Sequence, residues 1–400
     1  MGLHSPEQHE PVTDRAWDER RARAAIAAIV DDAERAFDDT ALWTLHPLDQ
    51  DGDEDVGRSF TGVYLGAAGV IWALAELGSQ RDFAAIAGGL DDRYLALPDY
   101  GPPAPGLWLG LAGILAVAER LAPDAGRREL LHDLLAENAE NPTLEVMWGA
   151  PGSMLVAAAL LDRTGEPRWE AVWRQLAVAV WDGWVHDEQL GYRIWTQHLY
   201  ERVAQFVGPA HGMAGCVAAL ARRPDLLGAE RLGELERDTV RTVTATSVVQ
   251  DGRANWEPVA GKGLAVRGPS EIRMQWCHGA PGIVATLAGM APHDDAFTRL
   301  LVAGGELTWE AGPLRKGPAL CHGTAGNGLA FLALLERTGD ERWLERARRF
   351  AMHAIDQVEL ARVTYGRGRH SLWTGDPGVA LYLRSCIDPA APVGIDIGCW

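Results

Sequence analysis

Lysine is almost missing from this chain: only Lys262 and Lys316 occur in 400 residues, so arginine carries nearly all the positive charge. Acidic residues outnumber basic ones by 55 to 37, a formal net charge of −18. That balance excludes the attraction on which nucleic-acid and anionic-membrane binding depend, because phosphate contacts need clustered Lys and Arg. A neutral or basic partner fits better. Long apolar runs are also absent. Nothing approaches the roughly 20 residues that span a bilayer, and the polar stretch from Met1 to Glu19 lacks the apolar segment of a secretory signal. A cytoplasmic location is expected. After Met1-Gly2 the sixth place holds Pro6, where a myristoylation signal needs Ser or Thr. Cysteine is scarce as well, with five scattered residues. In a reducing compartment these are thiols or ligands and not a disulfide framework.

Two of those cysteines stand in the same triplet, Cys277-His278-Gly279 and Cys321-His322-Gly323, 44 positions apart and each at the start of an apolar run. The pair reads as a metal site. Thiolate and imidazole suit a borderline-soft ion such as zinc, and two Cys with one His leave a tetrahedral ion one open position, as in catalytic sites. Cys216, Cys386 and Cys399 read instead as small buried hydrophobes.

A Gly-x-x-Gly followed by an apolar helical run recurs seven times, at Gly66/Gly69, Gly110/Gly113, Gly149/Gly152, Gly212/Gly215, Gly279/Gly282, Gly323/Gly326 and Gly375/Gly378. One such motif means little. Seven at spacings of 39 to 67 residues make a repeat architecture in which each unit is a helix pair. Amphipathic stretches between the motifs supply an outer layer; from Asp340 to Val358, Trp343, Leu344, Ala347, Phe350, Ala351 and Ala354 share one face. The glycines allow a tight turn into a helix packed close to its neighbours. His211, Cys277, Cys321 and His322 all sit at or just before a glycine motif, and a closed ring brings such equivalent positions together where an open solenoid spreads them out. The expected fold is therefore all-α: an α/α-toroid, or double helical barrel, of seven helical-hairpin repeats between 62 and 385. It forms a single domain over 1–400, with residues 1–20 flexible. The long connections Trp184 to Phe206 and Ser247 to Gln275, without helical period, are expected as ordered loops at the mouth of the site.

The segments Gly208-Pro209-Ala210-His211-Gly212-Met213-Ala214-Gly215, Gln275-Trp276-Cys277-His278-Gly279-Ala280-Pro281-Gly282 and Leu320-Cys321-His322-Gly323-Thr324-Ala325-Gly326-Asn327 resemble lanthionine synthetase C (LanC) and LanC-like proteins. The resemblance runs from about Gly62 to Leu383. It implies a double α-toroid and a Zn2+ ion held by Cys277, Cys321 and His322. It also implies addition of cysteine thiols to dehydrated Ser or Thr residues, with His211 as proton donor or acceptor near the metal. Peptide cyclases of the family usually carry Asp four residues before the first glycine of the third motif, where this chain has Glu145. With Leu314-Arg315-Lys316-Gly317 and Asn255-Trp256-Glu257-Pro258, that departure is similar to the eukaryotic-type LanC-like branch, whose members add glutathione to dehydroamino acids in proteins. The implied partners are a dehydrated peptide or protein and, for that branch, glutathione or another small thiol.

Thiol addition to a dehydroamino acid needs a thiolate, and a free cysteine with a pKa of about 8.5 is mostly protonated at pH 7. Metal coordination removes the proton. The resulting enolate is protonated at its α-carbon, a task for a positioned His, and His211 is the candidate. Glu145 would orient it, His278 would support the ligands, Lys316 would contact substrate or enolate oxygen, and Arg367 or Arg369 would hold a substrate carboxylate. Trp148, Trp276 and Trp373 either line a cavity or fill space between inner helices. Two other classes stay open. A helical-barrel glycosidase needs two carboxylates flanking a bond, whereas the motif loops present Cys and His. A non-catalytic zinc protein needs a fourth protein ligand, which no other motif position offers.

Overall fold

Glycine pairs at one repeated place force the packing. In the computed structural model, which describes residues 2–261 and 272–390, every second motif glycine lies one turn into a helix, against the loop of its own repeat and a side chain of the preceding repeat. A Cβ on Gly326 would collide with the Leu320 carbonyl and meet Trp276, and one on Gly69 would collide with the Val63 carbonyl and meet Leu372. The second case links the first repeat to the seventh, so the ring is closed. Cys399, Lys262 and part of the connection from Ser247 to Gln275 lie outside the described residues.

In chain order the first helices are α1 (Glu19–Ala36), α2 (Ala67–Glu76), the short α3 (Ala84–Ala87) and α4 (Leu90–Ala96), α5 (Leu111–Leu121), α6 (Ala125–Glu137), α7 (Ala150–Thr164) and α8 (Pro167–Asp182). They continue with α9 (Met213–Ala221), α10 (Pro224–Leu227), α11 (Ala229–Thr246), α12 (Ala280–Leu287), α13 (Asp295–Ala311), α14 (Thr324–Thr338), α15 (Arg342–Tyr365) and α16 (Asp376–Ile387). The helices after the glycine motifs, α2, α5, α7, α9, α12, α14 and α16, form the inner layer; each packs on the next, and α16 packs on α2. Their sequences are apolar on nearly every face because both sides are covered. In α7 every residue from Ala150 to Leu160 is buried. The outer layer is α1, α3 with α4, α6, α8, α11, α13 and α15. On α15 the six residues read as one face are all buried. Left-handed glycines Gly165, Gly339 and Gly366 stop α7, α14 and α15.

The fold is the α/α toroid, with two additions that the sequence reading lacked. The outer partner of α16 precedes it by more than 300 residues: α1 packs on α16 and α15, burying Ala22, Ile29 and Ala33. The long connections, expected as aperiodic loops, contain three antiparallel ribbons instead. These pair β1 (Val185–Asp187) with β2 (Tyr192–Ile194), β3 (Gln197–Leu199) with β4 (Arg202–Ala204), and β5 (Ser247–Gln250) with β6 (Arg253–Trp256). The first residues, expected to be flexible, have partners: Leu3 is buried, and residues 8–15 bond to the segment before the sixth motif and to α15.

Inner helices start on a glycine whose side chain offers no cap, so the loop supplies the acceptors. Ala67, Leu111, Met213, Thr324 and Asp376 each donate their N–H to the carbonyl seven residues earlier, Phe60, Ala104, Phe206, Gly317 and Arg369 respectively. A backbone belt then joins the loops. Cys277 donates to Cys321 (3.1 Å), Cys321 to Trp373 (2.9 Å), Trp373 to Tyr64 (3.2 Å), Tyr64 to Trp108 (2.9 Å) and Trp108 to Met147 (3.2 Å). All six residues stand two places before the first glycine of their motif. The two cysteines are thus adjacent around the ring.

Candidate metal centre

The Sγ atoms of Cys277 and Cys321 and a ring nitrogen of His322 lie within 4.8 Å of one another, the cysteines 7% and 5% exposed. With metal bonds of about 2.0–2.3 Å, a tetrahedral zinc ion needs such atoms about 3.5–3.8 Å apart. Two soft sulfurs and one imidazole fit zinc and not a hard cation that wants oxygen. The two sulfurs are also electrostatically coupled. Cys277 falls well below the usual thiol range, first because Cys321 donates a hydrogen bond to it and then because His278 and His322 lie close. Cys321 rises well above that range, first through the same bond and then through burial. The two thiols hydrogen-bond to each other, and a divalent cation held there would keep both as thiolates.

Around the three donors stand residues that the sequence reading did not single out. The Gln275 amide donates to the Cys277 sulfur at 3.2 Å. Tyr64, in the first repeat, gives its hydroxyl to Cys321, and burial together with both sulfurs keeps that phenol protonated. Tyr64 occupies the same motif place as the cysteines, two residues before the first glycine. Below lies an indole floor: Trp108 and Trp373 rings are 4.2 Å apart and Trp276 and Trp373 4.7 Å, all three buried. Trp276 and Trp373 are therefore packing, whereas Trp148 is half-buried at the edge.

Next around the ring is His211, whose Nδ1 meets Glu145 Oε2 at 2.9 Å. Glu145 is fully buried and also accepts the N–H groups of Met147 (3.0 Å) and Trp148 (2.6 Å). The residue before it, Leu144, has φ 45°, a left-handed conformation that is unusual for leucine and directs the next side chain inward. His278 lies between this pair and the sulfurs: its ring is 6.3 Å from His211, and its buried Nδ1 has no hydrogen-bond partner. Burial pushes its imidazole down, toward the neutral form. Tyr200, at the tip of the β3–β4 ribbon with φ 53°, comes within 5.8 Å of the His211 ring and accepts a long 3.5 Å bond from Trp148.

Lys316 is exposed in the loop before Cys321, close enough for its charge to act on that sulfur. The two arginines are used differently from the sequence reading. Arg367 donates to the Thr44 hydroxyl (3.0 Å) and carbonyl (2.8 Å), and Arg369 pairs with Asp49. Both fasten the 44–49 loop to the seventh repeat.

The comparisons with known proteins meet this geometry. Residues 61–393 match the family described as lanthionine synthetase C-like protein. The chain belongs to that family. Glutathione S-transferase LANCL1 of Danio rerio is 30% identical over 202 residues, covering 46% of this chain and 44% of the relative. LanC-like protein GCL1 of Arabidopsis thaliana is 33% identical over 192 residues, covering 46% and 41%. The aligned part is thus less than half of either relative. The solved structure of nisin cyclase superposes with a TM-score of 0.59 at 19% identity, covering 93% of this chain and 95% of that one, and shares the toroid. No described helix is long and apolar enough to cross a membrane.

Proposed function

We propose that this protein is a zinc-dependent cytoplasmic enzyme, folded as one toroidal domain, that adds cysteine thiols to dehydroalanine or dehydrobutyrine and so closes thioether rings in a dehydrated peptide. The observation that carries this reading is the convergence of two thiols and an imidazole beside a histidine held by a buried carboxylate. Cys277, Cys321 and His322 would hold the ion. Among the described residues no fourth Cys, His, Asp or Glu joins them, which leaves room for a substrate and disfavours a purely structural site. Zinc bound there supplies the Lewis acidity that keeps a substrate thiol ionised near neutral pH.

The protein's own groups account for the rest. As the thiolate sulfur bonds to the β-carbon, the carbon–carbon π electrons move toward the carbonyl, and the α-carbon then takes a proton. His211 delivers it from Nε2, because Glu145 occupies Nδ1 and fixes the ring. Lys316 offers a positive charge for substrate oxygen. Arg367 and Arg369, which fasten the 44–49 loop, would hold a substrate carboxylate only by sharing or exchanging those partners. His278, unpartnered at Nδ1, stands between the proton donor and the sulfurs.

A second reading has support in the Danio rerio relative's name, glutathione S-transferase: intermolecular addition of glutathione or another small thiol to dehydrated proteins. One experiment tests both. The purified protein is analysed for metal, then incubated with a peptide holding one dehydrobutyrine and one cysteine, with and without glutathione. One zinc per chain and loss of the free thiol at constant mass support cyclisation. A glutathione-sized mass gain supports the second reading, and absence of zinc refutes both.

A further inference from the structure

The fifth repeat departs from the backbone bond that starts five of the other inner helices. Ala280 is its first helical residue and Arg273 stands seven before it, but these two do not bond directly. The Asn255 side chain is inserted between them: its Oδ1 accepts from Ala280 N–H (2.7 Å) and Trp256 N–H (2.9 Å), and its Nδ2 donates to Arg273 C=O (3.2 Å). Among the motif's first glycines only Gly279 has positive φ, at 114°. The loop opened by this inserted amide carries Cys277. Asn255 is fully buried, and its remaining contact is the Leu3 carbonyl, 252 residues away, at 2.7 Å.

The same N-terminal segment, which includes a short 3-10 turn at Pro6–Gln8, reaches the other cysteine loop. His9 bridges Leu314, Glu10 N–H bonds to Pro313 C=O (3.0 Å), Arg315 N–H bonds to Gln8 C=O (3.0 Å), and the His9 ring bonds to Gly312 C=O (2.8 Å). Those partners lead directly into Lys316 and Cys321. The Glu10 carboxylate also accepts from Gln357 Nε2 (2.8 Å), while Gln357 Oε1 accepts from the hydroxyl of Thr324, the first helical residue after His322-Gly323. Each cysteine motif thus has one amide hub, Asn255 or Gln357, bonded to the start of the helix after that motif and to residues 3–10.

We infer that residues 3–10 form a strap which, through Asn255 and Gln357, sets the separation of the two cysteine loops and controls how firmly they retain a metal ion. This inference rests on the zinc reading above. The strap touches neither sulfur; Asn255, Gln357 and Glu10 are positioning residues. Outer partners of metal ligands change affinity by roughly 10–100-fold when lost.

The test is zinc release to a chromophoric chelator, followed by stopped flow on the full-length zinc-loaded protein. Asn255→Asp keeps the shape and removes both donors; Glu10→Ala removes the carboxylate that accepts from Gln357 and also partners the His353 ring. Both should release zinc roughly tenfold or more faster than wild type, whereas Glu7→Ala, on the same strap with an exposed side chain, should match wild type. Amide exchange at Arg315 should accelerate in Glu10→Ala, since its N–H bonds to the strap. If Asn255→Asp does not fold, Glu10→Ala decides alone. Release within twofold of wild type from a protein that does hold zinc overturns the strap and spares the metal centre. A wild type that binds no zinc overturns the centre and the strap with it.

Discussion

Glu145→Gln separates the two things this carboxylate does. In the wild type Oε1 takes the Trp148 N–H at 2.6 Å, while Oε2 takes the Met147 N–H at 3.0 Å and the His211 ring at 2.9 Å. A carboxamide keeps one oxygen. If that oxygen stays with Met147 and His211, its NH2 group faces the Trp148 N–H, donor against donor, in a place with no exposed surface. A bond to a charged acceptor is worth about 1.5–3 kcal/mol and a buried unsatisfied donor costs about 1–3 kcal/mol, so a loss of about 3 kcal/mol is expected. Urea denaturation would show it as a lowered midpoint with unchanged slope. Turnover should fall as well, toward the roughly 100-fold lower end of general acid–base effects, because His211 loses its charged anchor. Zinc content should not change, since Glu145 touches none of the three donors. Glu145→Asp, which restores the charge on a shorter stem, should recover part of both losses. The reasoning fails if Glu145→Gln keeps the wild-type midpoint and turnover, or if it loses its metal.

Replacing Cys277 or Cys321 by Ala should abolish zinc binding by elemental analysis, whereas His211→Ala should keep the metal and lose roughly 10²–10⁴-fold in turnover. Full activity in His211→Ala would end its assigned role. His46 is buried with its pKa lowered from 6.5 to about 4, first by burial and then by Arg369. Its folded value lies below its unfolded one, so the unfolded chain takes up the proton first as pH falls. The stability it contributes is complete above about pH 6.5 and is lost down through pH 4, on the order of 3 kcal/mol in all. Denaturation midpoints of His46→Asn, which can still accept the Leu48 N–H, should be flatter over that window than those of wild type. Gly326→Ala forces a Cβ into the Leu320 carbonyl and Trp276 and should cost about 3 kcal/mol or more. Gly289→Ala, where a Cβ meets nothing, should leave the denaturation midpoint in place.

The toroid was legible because its rule is local and repeated. A glycine one turn into each helix and an apolar run behind it can be counted in the sequence, and the structure uses each such glycine for contact with the neighbouring repeat. What counting could not reach was pairing between distant parts of the chain. The seventh inner helix finds its outer partner in α1, and the ribbons in the long connections arise from alternation over three or four residues, too short to distinguish from irregular chain.

The site follows the same division. Cys277, Cys321 and His211 stand out in the sequence because their place in the repeat is unusual for their residue type. Tyr64 holds the equivalent place in the first repeat, but a tyrosine beside an apolar helix carries no chemical flag. Arg367 and Arg369 show the opposite difficulty. Their charge announces an anion partner without saying which one, and Thr44 and Asp49 had no sequence feature marking them as neighbours. Asn255 shows the limit most clearly, because its four hydrogen bonds join residues 3, 256, 273 and 280. A buried amide can bridge a donor and an acceptor that would otherwise meet directly, and where it does, the loop between them gains length without gaining residues. No count of spacings reveals that, yet it shapes the turn that presents Cys277. In a ring built from one rule, the place to look for chemistry is the repeat in which a foreign side chain has replaced a backbone bond.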